Sequence, residues 1–134
     1  MSEENVEIVL RVIDAMNAGG VVGATEFFHP DLVFEEPPSQ PGSEIAIGMG
    51  DAVDTYAAFD DAWEEHRTEV EEIRDLGGND VLAVTIEHLR GRDGIEFAQP
   101  CASIVTLEEG KVIRLRPFWD RAEAFKAAGL PGTG

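Results

Sequence analysis

The sequence predicts an α+β domain in which a curved, mostly antiparallel sheet wraps as a cone around N-terminal helices. Three observations predict it. Apolar residues recur at helical spacing from Val6 to Met16 and again from Ala52 onward. From Thr68 the spacing changes to the period of two that half-buried strands show, in four successive segments separated by turns of hairpin length. After Asp120 the helical spacing returns once more. Helices followed by a run of consecutive strands and a terminal helix segregate into layers, which is the α+β arrangement.

Ser2 stands at the N-cap of the first helix, with Glu3 and Glu4 at the positive end of the dipole. Val6, Val9, Leu10, Ile13 and Met16 form its apolar stripe, and Gly19-Gly20 ends it. A short second helix, about Val21 to Phe28, closes at His29-Pro30, because the residue before a proline avoids the α region. The chain then extends from Asp31 to Glu36, with Leu32, Phe34 and Glu36 on one face, until Pro37-Pro38 stops it. A glutamate that shares a face with Leu32 and Phe34 is the first candidate for chemistry. Gly48 precedes a third helix, in which Ala52, Tyr56, Phe59, Trp63 and His66 recur at i, i+4, i+7, i+11 and i+14. Such an aromatic stripe reads first as core. Tyr56 and Trp63 also carry a polar atom that needs a partner, and a pocket wall is one place to find it.

The four strands run from about Thr68 to Leu76, Asp80 to Arg90, Ile95 to Leu107 and Lys111 to Trp119. Gly77-Gly78-Asn79, Gly91 to Gly94 and Glu108 to Gly110 supply the turns of an antiparallel meander. In the second strand Leu82, Val84, Ile86, His88 and Arg90 share one face, and Val81, Ala83, Thr85, Glu87 and Leu89 the other. Both faces open apolar, which predicts a sheet covered on two sides. The last strand puts Ile113, Leu115, Pro117 and Trp119 on the face that needs a roof, and Arg114, Arg116 and Phe118 on the opposite one. Asp120 then sits at a helix N-cap, with Ala122, Phe125 and Leu130 on the packing stripe and Gly129 as the stop.

At 134 residues and 43% apolar composition, the chain is read as one domain, 1–134, with a sizeable core. Its 27 acidic residues against 10 basic ones give a net charge of -17, a surface that repels nucleic-acid phosphates and anionic lipid. No tract is apolar enough to span a bilayer, and the start is acidic, so a cytoplasmic protein is expected. The lone Cys101 forms no internal disulfide and, set in an apolar strand pattern, reads as a packed thiol. Metal ligands at zinc spacing, a glycine-rich phosphate loop and a nucleophile elbow are all missing from the pattern, so neither metal nor cofactor is expected.

Gly110-Lys111-Val112, Arg116, Phe118-Trp119, Asp120-Arg121, Glu123-Ala124 and Ala128-Gly129-Leu130 resemble the C-terminal signature of the nuclear transport factor 2-like superfamily, in its SnoaL-like and ketosteroid isomerase-like branch. The resemblance implies a cystatin-like cone enclosing a pocket, and a homodimer paired through the outer sheet face. Where this fold is catalytic it implies cofactor-free acid–base work, for which a carboxylate among apolar side chains is suited. Glu36-Pro37 resembles the acid-proline step that carries the proton-shuttling base of ketosteroid isomerases. The oxyanion donors of those enzymes have no counterpart here: the first helix lacks a tyrosine, and the third strand of the meander reads Cys101-Ala102-Ser103. Asp120 is the second candidate, by similarity to SnoaL-like polyketide cyclases that draw an aspartate from the end of the sheet. It is equally a helix cap.

The third group is His88 and Arg90 beside Glu87. Limonene epoxide hydrolases carry an Asp-Arg-Asp set there, which this sequence does not restore; His88 could transfer a proton and Arg90 hold an oxyanion, or both could be solvated near the Gly91 turn. The spacing leaves open whether Glu87 or His88 faces inward. The expected ligand is a small hydrophobic molecule, held by Phe34, Tyr56, Phe59, Trp63, Leu115 and Trp119. Two roles fit: isomerisation, cyclisation or hydration without a cofactor, or a non-catalytic ligand-binding or dimerisation module.

Overall fold

The computed structural model describes residues 2–130, with side chains from residue 3 onward. Helix α1 spans Ser2–Gly19, so the predicted cap on the Ser2 side chain lies outside what is described. Its buried line runs through Asn5, Val9 and Val12, while Leu10, expected in the stripe, is 38% exposed. Val6, Ile13 and Met16 of the expected stripe pack against the core beside Val9, so the predicted face is the buried one apart from Leu10.

A 3-10 helix, Val21–Phe27, follows as expected, but strand β1 (Phe28–Glu35) begins directly after it. His29 and Pro30 therefore lie inside the strand instead of ending a helix. Proline is tolerated there because the pairing of β1 shifts register between Phe28 and Val33, where no ladder N–H is required. A three-residue edge strand, β2 (Ile45–Ile47), lies between Pro37-Pro38 and Gly48, where the sequence pattern gave no element, and pairs antiparallel with β1. Helix α2 (Met49–Asp61) starts after Gly48, whose φ of 95° only glycine adopts readily. It ends before Trp63, and His66 lies in strand β3 (Glu65–Asp75), so the long helical stripe read from the sequence is cut short.

The meander β3, β4 (Asp80–Arg90), β5 (Glu96–Glu108) and β6 (Lys111–Phe118) forms as predicted, and α3 (Arg121–Ala127) closes the described chain. The six strands make a curved, unclosed sheet in the order β2-β1-β6-β5-β4-β3, and β1 against β6 is its parallel pair. This order has a consequence for function. The ends of β1, β4 and β6 and the starts of β3 and β5 all fall at one end of the sheet.

The concave face packs Val81, Ala83, Val105 and Leu107 against Val9, Val12 and Ala52 of the helices. The convex face packs Leu82, Val84, Ala102, Ile104 and Phe118 against Ala124 and Phe125 of α3. Two-sided cover is why β4 reads apolar on both faces. A register shift at Thr106/Leu107 lets Val112 and Leu115 both turn inward, so Val112 takes the core place expected for Ile113.

Candidate functional site

A cavity of about 110 Å³ lies between the concave face and the helices and extends toward the end where those five strand termini meet. Its wall is mostly apolar. Phe34 of β1, Tyr56 and Phe59 of α2, Leu115 of β6 and Trp119 after it all line this space, five of the six residues expected to do so. An aromatic chain joins them: ring centroids stand 5.4 Å apart for Phe34–Tyr56, 6.2 Å for Tyr56–Phe59 and 5.8 Å for Phe59–Trp119. Trp63 is the exception. Beyond the end of α2, it stacks edge-on against Phe97 at 5.9 Å and borders a separate, polar cleft.

Glu36 reaches the cavity from the loop after β1, together with Pro37 and Gln40. Its carboxylate accepts from the Glu44 backbone N–H at 3.0 Å and from Gln40 Nε2 at 3.2 Å. The same carboxylate therefore braces the loop that edges the cavity.

The most heavily bonded polar cluster in the wall was not foreseen. His66 Nδ1 lies 2.7 Å from Asp60 Oδ1 and His66 Nε2 lies 2.6 Å from Glu87 Oε1. Thr68 Oγ1 donates to Glu87 Oε1 and Thr85 Oγ1 to Glu87 Oε2, both at 2.7 Å. The cluster ties the last turn of α2 to β3 and β4. Burial by itself would lower the His66 pKa, but hydrogen bonds to Asp60 and Glu87 outweigh it and raise the value to about 9. Burial likewise works to raise Glu87, and the bonds from His66, Thr68 and Thr85 reverse it, leaving the carboxyl below its ordinary range. The site thus holds a cationic imidazole between two carboxylates at neutral pH.

Burial, then the nearby Asp60 and Glu87 charges, pushes the Tyr56 phenol well above its usual value, so it stays a neutral donor. Burial and Glu87 push the Cys101 thiol up to about 12 against the pull of Arg121, which keeps it protonated.

Three expected site residues lie elsewhere. β4 turns Ala83, Thr85 and Glu87 toward the cavity, which settles the open question of facing and puts His88 on the convex side. There His88 Nε2 pairs with Glu69 at 2.7 Å, and Arg90 pairs with Glu65 at 2.7 Å. Asp120 caps α3, accepting from the Ala122 N–H at 2.8 Å, and does not border the cavity. The alternation His66, Thr68, Val70 at strand period was the available signal for the missed cluster; the aromatic spacing of α2 masked it. Among the described residues no group of three or more His, Cys, Asp and Glu side chains is arranged to hold a metal ion.

The family model described as "SnoaL-like domain" matches residues 9–115. No curated protein matches the chain. Solved structures do. A protein assigned as a SnoaL-like polyketide cyclase from Jannaschia sp. CCS1 is 21% identical over 97% of this chain and 94% of its own, with a TM-score of 0.75. TerC, co-crystallised with polyporic acid, is 16% identical over 94% and 98%, with a TM-score of 0.76. A protein of ketosteroid isomerase-like fold from Catenulispora acidiphila, in complex with trimethylamine, is 15% identical over 96% of both chains, with a TM-score of 0.73. At these identities the likeness is one of fold.

Proposed function

We propose, from the premise that this chain belongs to the SnoaL-like domain family, that it binds a small, largely apolar molecule in the cone cavity and moves protons on it without a cofactor. The observation that carries the reading is the apolar cavity with Glu36, Glu87 and His66 in its wall. Polyporic acid in TerC and trimethylamine in the Catenulispora protein support it as small molecules held by proteins of this fold. In this reading Phe34, Phe59, Leu115 and Trp119 hold the ligand, Tyr56 offers it a neutral hydroxyl, and Glu36 takes or returns a proton at the cavity edge. The reaction class is isomerisation, cyclisation or hydration. A net charge of -17 argues against an anionic ligand and against nucleic-acid or anionic-membrane partners.

A second reading has its own observation. Both oxygens of Glu36 already accept bonds from the loop, and Glu87 already accepts from three donors, which suits a carrier that binds without turnover.

In a Trp63→Phe background, Trp119 fluorescence is titrated with 9-fluorenone and 1,4-naphthoquinone. Saturable quenching is expected, and its loss in Ser103→Phe, which fills the cavity. Failure of both probes to saturate ends the binding reading. Deuterium exchange at the α-carbons of 2-tetralone then separates the two roles: an enzyme accelerates it at least tenfold over buffer and loses that in Glu36→Gln, whereas a carrier leaves it at the buffer rate.

A further inference from the structure

Two carboxylates stand in the wall of the cone cavity, and only one of them has a cation. Glu87 meets the imidazolium of His66 at 2.6 Å. Glu36 is held by the Glu44 backbone N–H at 3.0 Å and by Gln40 Nε2 at 3.2 Å, neutral donors that fix its carboxylate without neutralising it. Among the described residues no lysine or arginine lines the cavity. Arg121 reaches the carbonyls of Thr85 and Cys101, but it belongs to α3 on the convex face and pairs with Glu71 at 2.6 Å. His66 is shared with Asp60 at 2.7 Å, so its cluster is itself net negative before Glu36 is counted. The Tyr56 phenol and the Cys101 thiol, both pushed up by burial, add no charge.

The apolar part of the wall acts in the same direction. Phe34, Tyr56, Phe59 and Trp119 line the space, with consecutive rings inclined by 61°, 62° and 44°, so they bound it at different angles instead of stacking flat. The face of an aromatic ring is the negative part of its quadrupole and attracts a cation within about 6 Å of the ring centre. A strongly hydrated cation would lose its water shell on entering such a cavity, whereas a methylated ammonium ion is weakly hydrated and buries its methyl groups against the walls. A space of about 110 Å³ is enough for a trimethylammonium head.

We propose that the cone cavity takes an organic ammonium ion, a tertiary or quaternary amine whose methylated nitrogen lies among Phe34, Tyr56, Phe59 and Trp119 with Glu36 as its counter-ion. The proposal rests on the reading of this cavity as a small-molecule site and narrows the ligand from largely apolar to apolar and cationic. Glu36 is placed for the role by the chain itself. It follows Phe34 by two residues at the end of β1, so at strand period both side chains reach the same space. The same counter-ion serves an enzyme and a carrier.

Choline and 3,3-dimethyl-1-butanol test this, because they share a shape and differ by a cationic nitrogen in place of a carbon. Binding of each is read by NMR on the full chain from the Trp119 indole N–H, in the Trp63→Phe background. Choline is expected to bind at least ~tenfold more tightly than the alcohol, and Glu36→Gln to cut that ratio at least ~fivefold. Phe59→Leu keeps apolar bulk and leaves the loop braced by Glu36 untouched; it should weaken choline and spare the alcohol. Glu7→Gln removes the same charge from the exposed face of α1 and should leave the ratio unchanged. The proposal is overturned if choline fails to saturate or if the alcohol binds as tightly as choline. It is equally overturned if Glu7→Gln lowers the ratio as far as Glu36→Gln, which would trace the attraction to the whole acidic surface. Saturation by the alcohol or by 9-fluorenone without a preference for choline leaves the binding reading standing, and failure of all three compounds ends both.

Discussion

Replacing His66 by Gln should produce a loss of stability that depends on pH in a calculable way. The folded pKa of about 9 lies above the ordinary value of 6.5, so folding favours the protonated form. The corresponding stability is fully present below about 6.5 and is lost as pH rises through about 9. A shift of about 2.5 units at ~1.4 kcal/mol per unit gives about 3 kcal/mol at pH 6, about 2 kcal/mol at pH 7.5 and under ~0.5 kcal/mol at pH 9. The His66 side chain is only 10% exposed, so solvent screening takes little from this. The depressed Glu87 contributes with the opposite sign: its share is present above the usual carboxylate range and lost as pH falls through the folded value. Between pH 6 and 9 it adds a constant to the cost of the variant and no slope. Urea unfolding of wild type and His66→Gln at pH 6, 7.5 and 9 reads the difference directly. The gap should shrink by nearly ~3 kcal/mol across that range. A gap constant to within ~0.5 kcal/mol would mean that His66 is not held as a cation, and the charge assignment of the site would fall with it.

Three other outcomes follow from the same structure. Cys101, buried and with its thiol pushed up to about 12, should resist iodoacetamide at pH 8 in the native protein and react promptly in urea; fast native labelling would contradict its placement. Asp120→Ala removes the cap of α3 and should cost about 1 kcal/mol in urea unfolding while leaving 9-fluorenone binding unchanged, whereas impaired binding would return Asp120 to the site. Leu82→Ala, at a fully buried position beneath α3, should cost about 2–5 kcal/mol, and a smaller loss would show that α3 settles into the space.

The local periodicities were legible. Period-two alternation with glycine turns located β3 to β6 to within a few residues, because each strand is half-buried or capped by a tight turn, and Asp120 marked the start of α3. Expectation and structure part where a residue's fate depends on a distant neighbour. Pro30 sits in a strand because β6 runs beside it with a shifted register, and nothing local to Pro30 encodes that pairing. His66 fell on the helical spacing of Tyr56 and Phe59 by coincidence of period, yet α2 ends at Asp61 and the chain reverses into β3.

By itself, then, the sequence determined the α+β class, the meander, the aromatic wall of Phe34, Tyr56, Phe59 and Trp119, and the reach of Glu36 toward it. Only the tertiary structure decided that Glu87 points inward and His88 outward, that Arg90 and Asp120 stand away from the cavity, and that Asp60, His66 and Glu87 meet. The reason is physical. Periodicity fixes which side chains share a face, but which face is concave depends on the element that covers it, and residues 21 positions apart come within bonding distance only once two strands are in register.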